Sequence, residues 1–307
     1  MTRSALIYIT IVFTLTGFFS HLGWFFDLTS HFRLQYFILL LVLTFSFSLK
    51  KQWRLVIVSG LAAALNLIQI GPYYLPRTQA RPPATQKKQS LSILLINLNA
   101  YNHQFRSVIE HIQEMKPDII ALEELTPKWQ DTLAATLREY PDYAANIRED
   151  GFGIGLYSRV RMDTMNIRFL GEVEVPSVTA DMTIRNEKVS LLFTHPLPPG
   201  NPKTYRARNQ QLEHISSLRD QFHDKMILIG DLNTTSWSHA FKNFSKKMGL
   251  IDSRMGRGLQ TTWPAPIPFV GITIDHILIS PDIDVRERMI GPYIGSDHFP
   301  VYIQLRI

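Results

Sequence analysis

Apolar and polar positions alternate on one scale before residue 71 and on another after residue 90. Three uncharged apolar runs, Ala5 to Phe26, Leu34 to Leu49 and Leu55 to Ile70, follow one another in the first part, interrupted by Lys50, Lys51 and Arg54 between the second and third. A helix needs about 20 such residues to cross a hydrocarbon core, so the first run is long enough and the other two are marginal. Trp24, Trp53, Tyr73 and Tyr74 stand near the run ends, where aromatic belts sit at a membrane interface. The pattern predicts three spans in residues 1–70. Two plainer readings compete: a cleaved signal peptide with Arg3 as its positive region, and buried helices of a soluble domain. No small-residue cleavage site follows the first run, and two further runs come directly after it, which favours the spans.

Gly71 to Ser90 carries Pro72, Pro76, Pro82 and Pro83 among polar residues without periodicity, which predicts an extended spacer over 71–90. Beyond it the apolar runs shorten to strand length: Leu91–Leu98, Asp118–Leu122, Gly153–Tyr157, Val189–Phe193, Met226–Ile229, Ile272–Ile279 and Val301–Leu305. Between them lie apolar residues at helical spacing, as in Phe105, Val108, Ile109, Ile112 and Met115, or Leu212, Ile215, Leu218 and Phe222. Strands interleaved with helices, plus a hairpin-like region around 165–194, predict two sheets packed face to face with helices outside, all within residues 91–307.

Charge changes the picture in two ways. The loop basics Lys50, Lys51 and Arg54, with Arg3 ahead of the first span, put both segments on the cytoplasmic side and residues 91–307 outside the cytoplasm; Arg77, Arg81, Lys87 and Lys88 pull the other way. The expected location is a multi-pass protein of a bacterial inner or plasma membrane. The formal net charge of +6 is uneven, since residues 1–90 hold nine Lys/Arg against Asp27 alone. Removing them from 32 basic and 26 acidic residues leaves 23 against 25, a net −2 for residues 91–307 and poor support for a nucleic-acid surface. With no cysteine, disulfides, thiolate metal sites and cysteine nucleophiles are excluded.

Polar, metal-competent residues close the strand-length runs. ILLINLNAYN ends on Asn97 and Asn99, DIIALEEL on Glu123 and Glu124, LLFTHP on His195, and MILIGDLNTT on Asp231 and Asn233; ITIDHILIS and GSDHFPV add Asp275, His276, Asp297 and His298. Each has a bland explanation: Gly-Asp-x-Asn as a turn or helix cap, the Glu pair as a solvated edge, His195 as a surface or core histidine, Ser-Asp-His as a turn.

In this order the motifs resemble the endonuclease/exonuclease/phosphatase superfamily, and the likeness covers residues 91–307, with GDLN and SDHFP as its strongest parts. The resemblance implies a four-layered α/β sandwich, with a site at one rim and Mg2+ or Mn2+ as cofactor. It implies Glu124 as the main metal ligand, since the family usually has Gln at the position of Glu123, with Asn97 and Asp297 completing the metal environment; hard oxygen donors suit Mg2+. On the same resemblance His298 is the general base or its equivalent, oriented by Asp275. Asp231 and Asn233 position water and phosphoryl oxygens, and His195 donates to a non-bridging oxygen. Asn99 stands where many nucleases carry an acid, so a single metal is expected. Arg206 and Arg208 either reach a phosphate or are simply solvated.

The function expected is a metal-dependent phosphoesterase acting on a phosphodiester or phosphomonoester, with a bilayer as partner of the helices and no obligate protein partner. Nucleic acid and lipid or inositol phosphate both remain open as substrates. The apolar, Pro-rich segment Leu259–Gly271 is either a substrate-contacting or a packed loop. A membrane-tethered binding module that keeps the fold without catalysis is the alternative.

Overall fold

The computed structural model of the chain describes residues 3–76 and 89–307. Most of the spacer, with Pro82, Pro83, Arg77, Arg81, Lys87 and Lys88, lies outside the described residues. In chain order the elements are α1 (Arg3–Thr16), α2 (Trp24–Ser30), α3 (Arg33–Leu49), α4 (Trp53–Ile70), β1 (Ser90–Asn97), α5 (Phe105–Met115), β2 (Ile119–Glu123), α6 (Pro127–Leu137), β3 (Asp142–Asn146), β4 (Ile154–Ser158), β5 (Thr164–Phe169), β6 (Pro176–Ile184), β7 (Glu187–Thr194), α7 (Pro202–Ser217), β8 (Lys225–Asp231), α8 (His239–Met248), β9 (Ile251–Asp252), β10 (Asp275–Ile279), β11 (Asp284–Ile290) and β12 (Val301–Arg306).

They form two compact units. One contains the helices up to residue 76 together with two later stretches, Thr234–Asn243 and Arg254–Leu259. The helical run Arg3–Leu22 and the run Trp53–Tyr73 are each long and apolar enough to cross a membrane, and α2 with α3, bent by 63° at their junction, make a third candidate. The first span therefore ends earlier than its apolar run suggests. Gly23, at φ 152°, breaks the helix, and Trp24 to Phe26 begin the bent second element instead. The spacer also begins in order, because Gly71–Tyr73 forms a helical turn and Tyr73 packs in an apolar cluster with Ile70, Trp237 and Leu259.

The other unit holds the remaining described residues and two six-stranded sheets, ordered β11-β12-β1-β2-β4-β3 and β5-β6-β7-β8-β10-β9. The period of two explains their packing. Along β1, Leu91, Ile93 and Leu95 enter the core between the sheets, whereas Leu94 and Ile96 face the opposite way with Val108 and Ile112 of α5 and Trp129 and Leu133 of α6. On the second sheet Leu191, Phe193, Ile227, Ile229, Ile277 and Ile279 supply the facing half of the inter-sheet core. Truncating one of these fully buried side chains to alanine costs about 2–5 kcal/mol.

Local chemistry sets the helix starts. Thr126 caps α6 through Trp129 N, with Pro127 at the first helical position. The Asn201 side chain accepts from Lys203 N and Thr204 N to open α7, while Thr204 reaches back to the Asn201 backbone, a reciprocal cap. The sandwich expected from the resemblance is present. The strand expected over Ile272–Ile279 starts only at Asp275, because Ile272 pairs instead with Trp263 of the preceding loop.

Candidate active site

β1 and β2 run parallel, β7 and β8 run parallel, and β10 is antiparallel to β8. The ends of the first four and the start of β10 therefore lie along sheet edges. Strand parity then selects which side chains meet. Asn97 continues the inward series Leu91, Ile93, Leu95; Glu123 continues Ile119 and Ala121; His195 continues Leu191 and Phe193; Asp231 continues Ile227 and Ile229; Asp275 precedes Ile277 and Ile279. Each site residue is the next step of the core face after the apolar residues stop. His276, one residue out of phase, is fully buried beside Asp252 and takes no part.

The backbone permits this at Gly230, whose φ is 145° and where a Cβ would lie 2.0 Å from Thr194 O and 3.2 Å from Glu123 Oε1. Only glycine lets β8 pass so close to β7 at the rim. Across the sheets Asp231 N donates to Glu123 Oε1 at 2.8 Å. Burial first, then the Asp231 and Asp275 carboxylates, push Glu123 well above the usual carboxylate range. Glu124 turns away, because its φ of 55° is left-handed; its Oε2 accepts from Ala100 N at 2.9 Å. Burial pushes Glu124 up as well, against the Ala100 N–H and the Asn97 amide.

His298 and Asp275 make the tightest pair, with Nδ1 at 3.1 and 3.0 Å from the two carboxylate oxygens. Burial works against the imidazolium, but Asp275, Asp231 and Asp297 outweigh it and raise His298 to about 10. Burial pushes Asp275 up, yet His298 and Thr262 hold it below the usual range. Asp231 sits between two rings, its Oδ2 3.7 Å from His195 Nε2 and 3.9 Å from His298 Nε2. Burial and then Asp275 push it to about 8. Burial and then the His298 charge lower His195 to about 4, leaving a neutral ring. Asn233, at φ 51°, donates from Nδ2 to Pro196 O at 2.9 Å, and its N–H donates to Asp231 Oδ1 at 2.7 Å.

Asp297 accepts from Asn99 Nδ2 at 2.6 Å on Oδ1 and from Trp263 Nε1 at 3.1 Å on Oδ2. The loop carrying Trp263 is thus tied to the site, and Thr262 Oγ accepts from Asp275 N at 3.3 Å. The sequence marks Leu259–Gly271 as a loop that either contacts substrate or packs, but not these two contacts, since an indole or hydroxyl in an irregular loop has no periodicity to betray it. The same holds for Phe152, whose ring centroid is 5.8 Å from that of His195. Arg208 is neither solvated nor free for a phosphate. It is fully buried and donates to Asn233 O at 2.7 Å, bracing the GDLN turn, whereas Arg206 is exposed.

The donor chemistry fits a hard divalent ion beside Glu124. Its carboxyl is destabilised by burial, the Asn97 Nδ2 is buried without a full hydrogen bond, and Asp297 keeps one lone pair on each oxygen. A second group, Asp231, Asp275 and His298, has one ligand atom each within 4.8 Å of the others. There a metal would compete with the proton that His298 Nδ1 shares with Asp275, so the trio suits proton handling better.

The fold recurs in solved structures. D. rerio TDP2 complexed with single strand DNA product aligns over 71% of this chain and 100% of its own, with 18% identity and a TM-score of 0.60. An endonuclease/exonuclease/phosphatase family protein from Bacteroides thetaiotaomicron aligns over 72% and 99%, with 19% identity and a TM-score of 0.59. The corresponding protein of Bacteroides vulgatus aligns over 71% and 99%, with 20% identity and a TM-score of 0.60. No curated protein matches the sequence. The family model described as Endonuclease/Exonuclease/phosphatase family matches residues 94–298, two-thirds of the length and every site residue from Asn97 to His298, and the chain belongs to that family.

Proposed function

We propose that the chain is a membrane-tethered, Mg2+-dependent phosphoesterase that hydrolyses its substrate by water attack at phosphorus. The observation that carries this reading is the gathering of Asn97, Glu124, His195, Asp231, Asn233 and Asp275 at strand ends with Asp297 and His298 from the loop before β12, the His298–Asp275 pair standing at 3.0 Å. Glu124, Asn97 and Asp297 would hold Mg2+, or Mn2+, which when bound neutralises phosphoryl charge and lowers the barrier to attack.

The remaining work falls to the buried groups. Asp231, pushed to about 8, has a proton affinity matched to neutral pH and takes the proton of the attacking water. His298, kept cationic by Asp275, faces the phosphoryl oxygens as charge develops. This moves the proton-accepting role from His298, where the resemblance places it, to Asp231. His195 is a neutral donor to a non-bridging oxygen, and the Asn233 side chain, fixed on Pro196 O, keeps the turn in place.

Two observations favour a membrane lipid over nucleic acid. Residues 91–307 carry a net −2, and the loop tied to Asp297 through Trp263 ends in Phe269, 80% exposed, next to the partly exposed Ile267 and Val270. Nucleic acid is the rival reading, since D. rerio TDP2 was captured with a single strand DNA product. Release of p-nitrophenol from bis-p-nitrophenyl phosphate by the full chain, with and without Mg2+, tests the chemistry. Turnover abolished by chelator and restored by Mg2+ supports it, whereas a folded protein without turnover supports a non-catalytic binding module. A screen on phospholipids, inositol phosphates and DNA then separates the substrates.

A further inference from the structure

The unit containing the membrane helices takes in Thr234–Asn243, a stretch that begins one residue after the site residue Asn233. Thr234, Thr235, Ser236, Trp237 and Ser238 are all buried there; Thr235, Trp237 and Ser238 bond to groups of the helical region, whereas Ser236 accepts from Arg254 Nη2. Ser238 Oγ donates to Asp27 Oδ1 at 2.6 Å, and Thr235 Oγ lies 2.9 Å from His31 Nδ1. His239 N donates to Ser20 Oγ at 2.9 Å, Trp237 Nε1 to Gln69 O at 3.2 Å, and Lys242 Nζ to Gln69 Oε1 at 2.9 Å.

A passive tether needs none of this. Asp27 is the only acidic residue before residue 91 and is 1% exposed, and a buried carboxylate is costly unless hydrogen-bonded. Its Oδ1 accepts from Ser238 in the segment that continues the GDLN turn, and its Oδ2 lies 3.6 Å from His31 Nε2. That turn also needs holding, because Asn233 sits at φ 51°, a left-handed conformation that persists only when its surroundings over-determine it. Arg208 braces the Asn233 carbonyl, but the downstream side of the turn is fixed by helical-region groups.

We propose that Asp27 and His31 on and just after α2 are positioning residues for the Asp231–Asn233 turn, so that the anchor sets the geometry of the site as well as its location. The proposal rests on the phosphoesterase reading for its kinetic consequence but not for its structural one. The test uses the full chain in detergent micelles and compares wild type with Asp27→Leu, Asp27→Asn and Ser238→Ala. Two quantities are read: kcat and KM on bis-p-nitrophenyl phosphate, a soluble ester for which tethering is irrelevant, and hydrogen–deuterium exchange of peptides covering 231–243.

Asp27→Leu and Ser238→Ala are expected to lower kcat about ten- to a hundredfold with KM within about twofold, the mark of a misplaced catalytic group. Asp27→Asn, which keeps an acceptor, retains most of kcat. Exchange rises over 231–238 and stays as in wild type over β1 and β2. Unchanged kcat in Asp27→Leu, or exchange that rises equally throughout the chain, overturns the proposal. Should Asp27→Leu not fold, Ser238→Ala, the loss of one oxygen, decides alone. If wild-type protein hydrolyses nothing, the phosphoesterase reading falls, and the exchange pattern still decides whether α2 holds the turn.

Discussion

Replacing Asp231 with asparagine should destroy turnover and, at alkaline pH, make the protein more stable. The carboxyl is raised from an aspartate's usual 3.8 to about 8, chiefly by burial. A group whose folded-state value is raised contributes stability that is full below the unfolded value and lost as pH rises through the folded one. Wild type therefore loses this stability progressively from about pH 4, where the unfolded aspartate ionises, to about pH 8, above which the folded protein bears a buried charge. At about 1.4 kcal/mol per pH unit the displacement sets an upper limit near 6 kcal/mol. His298 and Asp275 share the charge, so the gain expected from neutralising it is about 1–4 kcal/mol. In Asp231→Asn the amide oxygen would still accept from Asn233 N, now at 2.7 Å, and the backbone bond to Glu123 would stay intact. For a domain of this size each kcal/mol moves Tm by about 2–4 °C. Thermal unfolding in chelator at pH 4 and pH 9 is the assay. The variant should match wild type near pH 4 and exceed it by several degrees at pH 9. An equal difference at both pH values, or a variant less stable at pH 9, would refute the assignment of a buried, proton-exchanging Asp231.

Glu124→Gln and His298→Ala should each abolish hydrolysis in a folded protein, with Mg2+ binding by calorimetry lost in the first and kept in the second; activity within about tenfold of wild type, roughly 1.4 kcal/mol of barrier, would contradict the role assigned. Glu123→Gln should be mild, because a neutral carboxylic acid and an amide both offer one acceptor to Asp231 N; a loss as deep as that of Glu124→Gln would show that the Glu123 charge is used. In a bacterial host, an alkaline phosphatase fused after Ser90 should be active and a green fluorescent protein fused there dark, since Lys50, Lys51 and Arg54 favour the cytoplasm; the opposite pattern would place the site inside.

The strands that stood out in the sequence are the central ones, and the physical reason is coverage. β1, β2, β7 and β8 are flanked on both sides and buried on both faces, so they read as unbroken apolar runs. β3, β9 and β11 are weak in the sequence because each is a sheet edge. β3 is only half-buried, β9 has two residues, and β11 carries Arg286, Glu287 and Arg288 across a register shift after Val285. The folding of Thr234–Asn243 and Arg254–Leu259 into the helical unit was equally hidden. Ser238 and Thr235 look like any polar turn until Asp27 and His31, about two hundred residues earlier, are set beside them.

The Glu123–Glu124 pair shows where parity carries an argument and where it stops. Strand alternation alone would send Glu123 between the sheets and Glu124 outward toward α5 and α6. One left-handed residue changes that. At φ 55° the chain leaves β2 at Glu124, and the side chain swings to the backbone of Ala100 after β1. Glu123 keeps the parity of the core face and meets Asp231 N across the sheets, where burial pushes its carboxyl up. Two adjacent acids thus acquire different partners from one backbone torsion. Glu123 accepts from Asp231 N across the sheets, and Glu124 accepts from Ala100 N after β1. A non-glycine residue at positive φ is uncommon and is kept where its surroundings over-determine it. In this chain Asn99, Glu124 and Asn233 all adopt it, each at a strand end of the site.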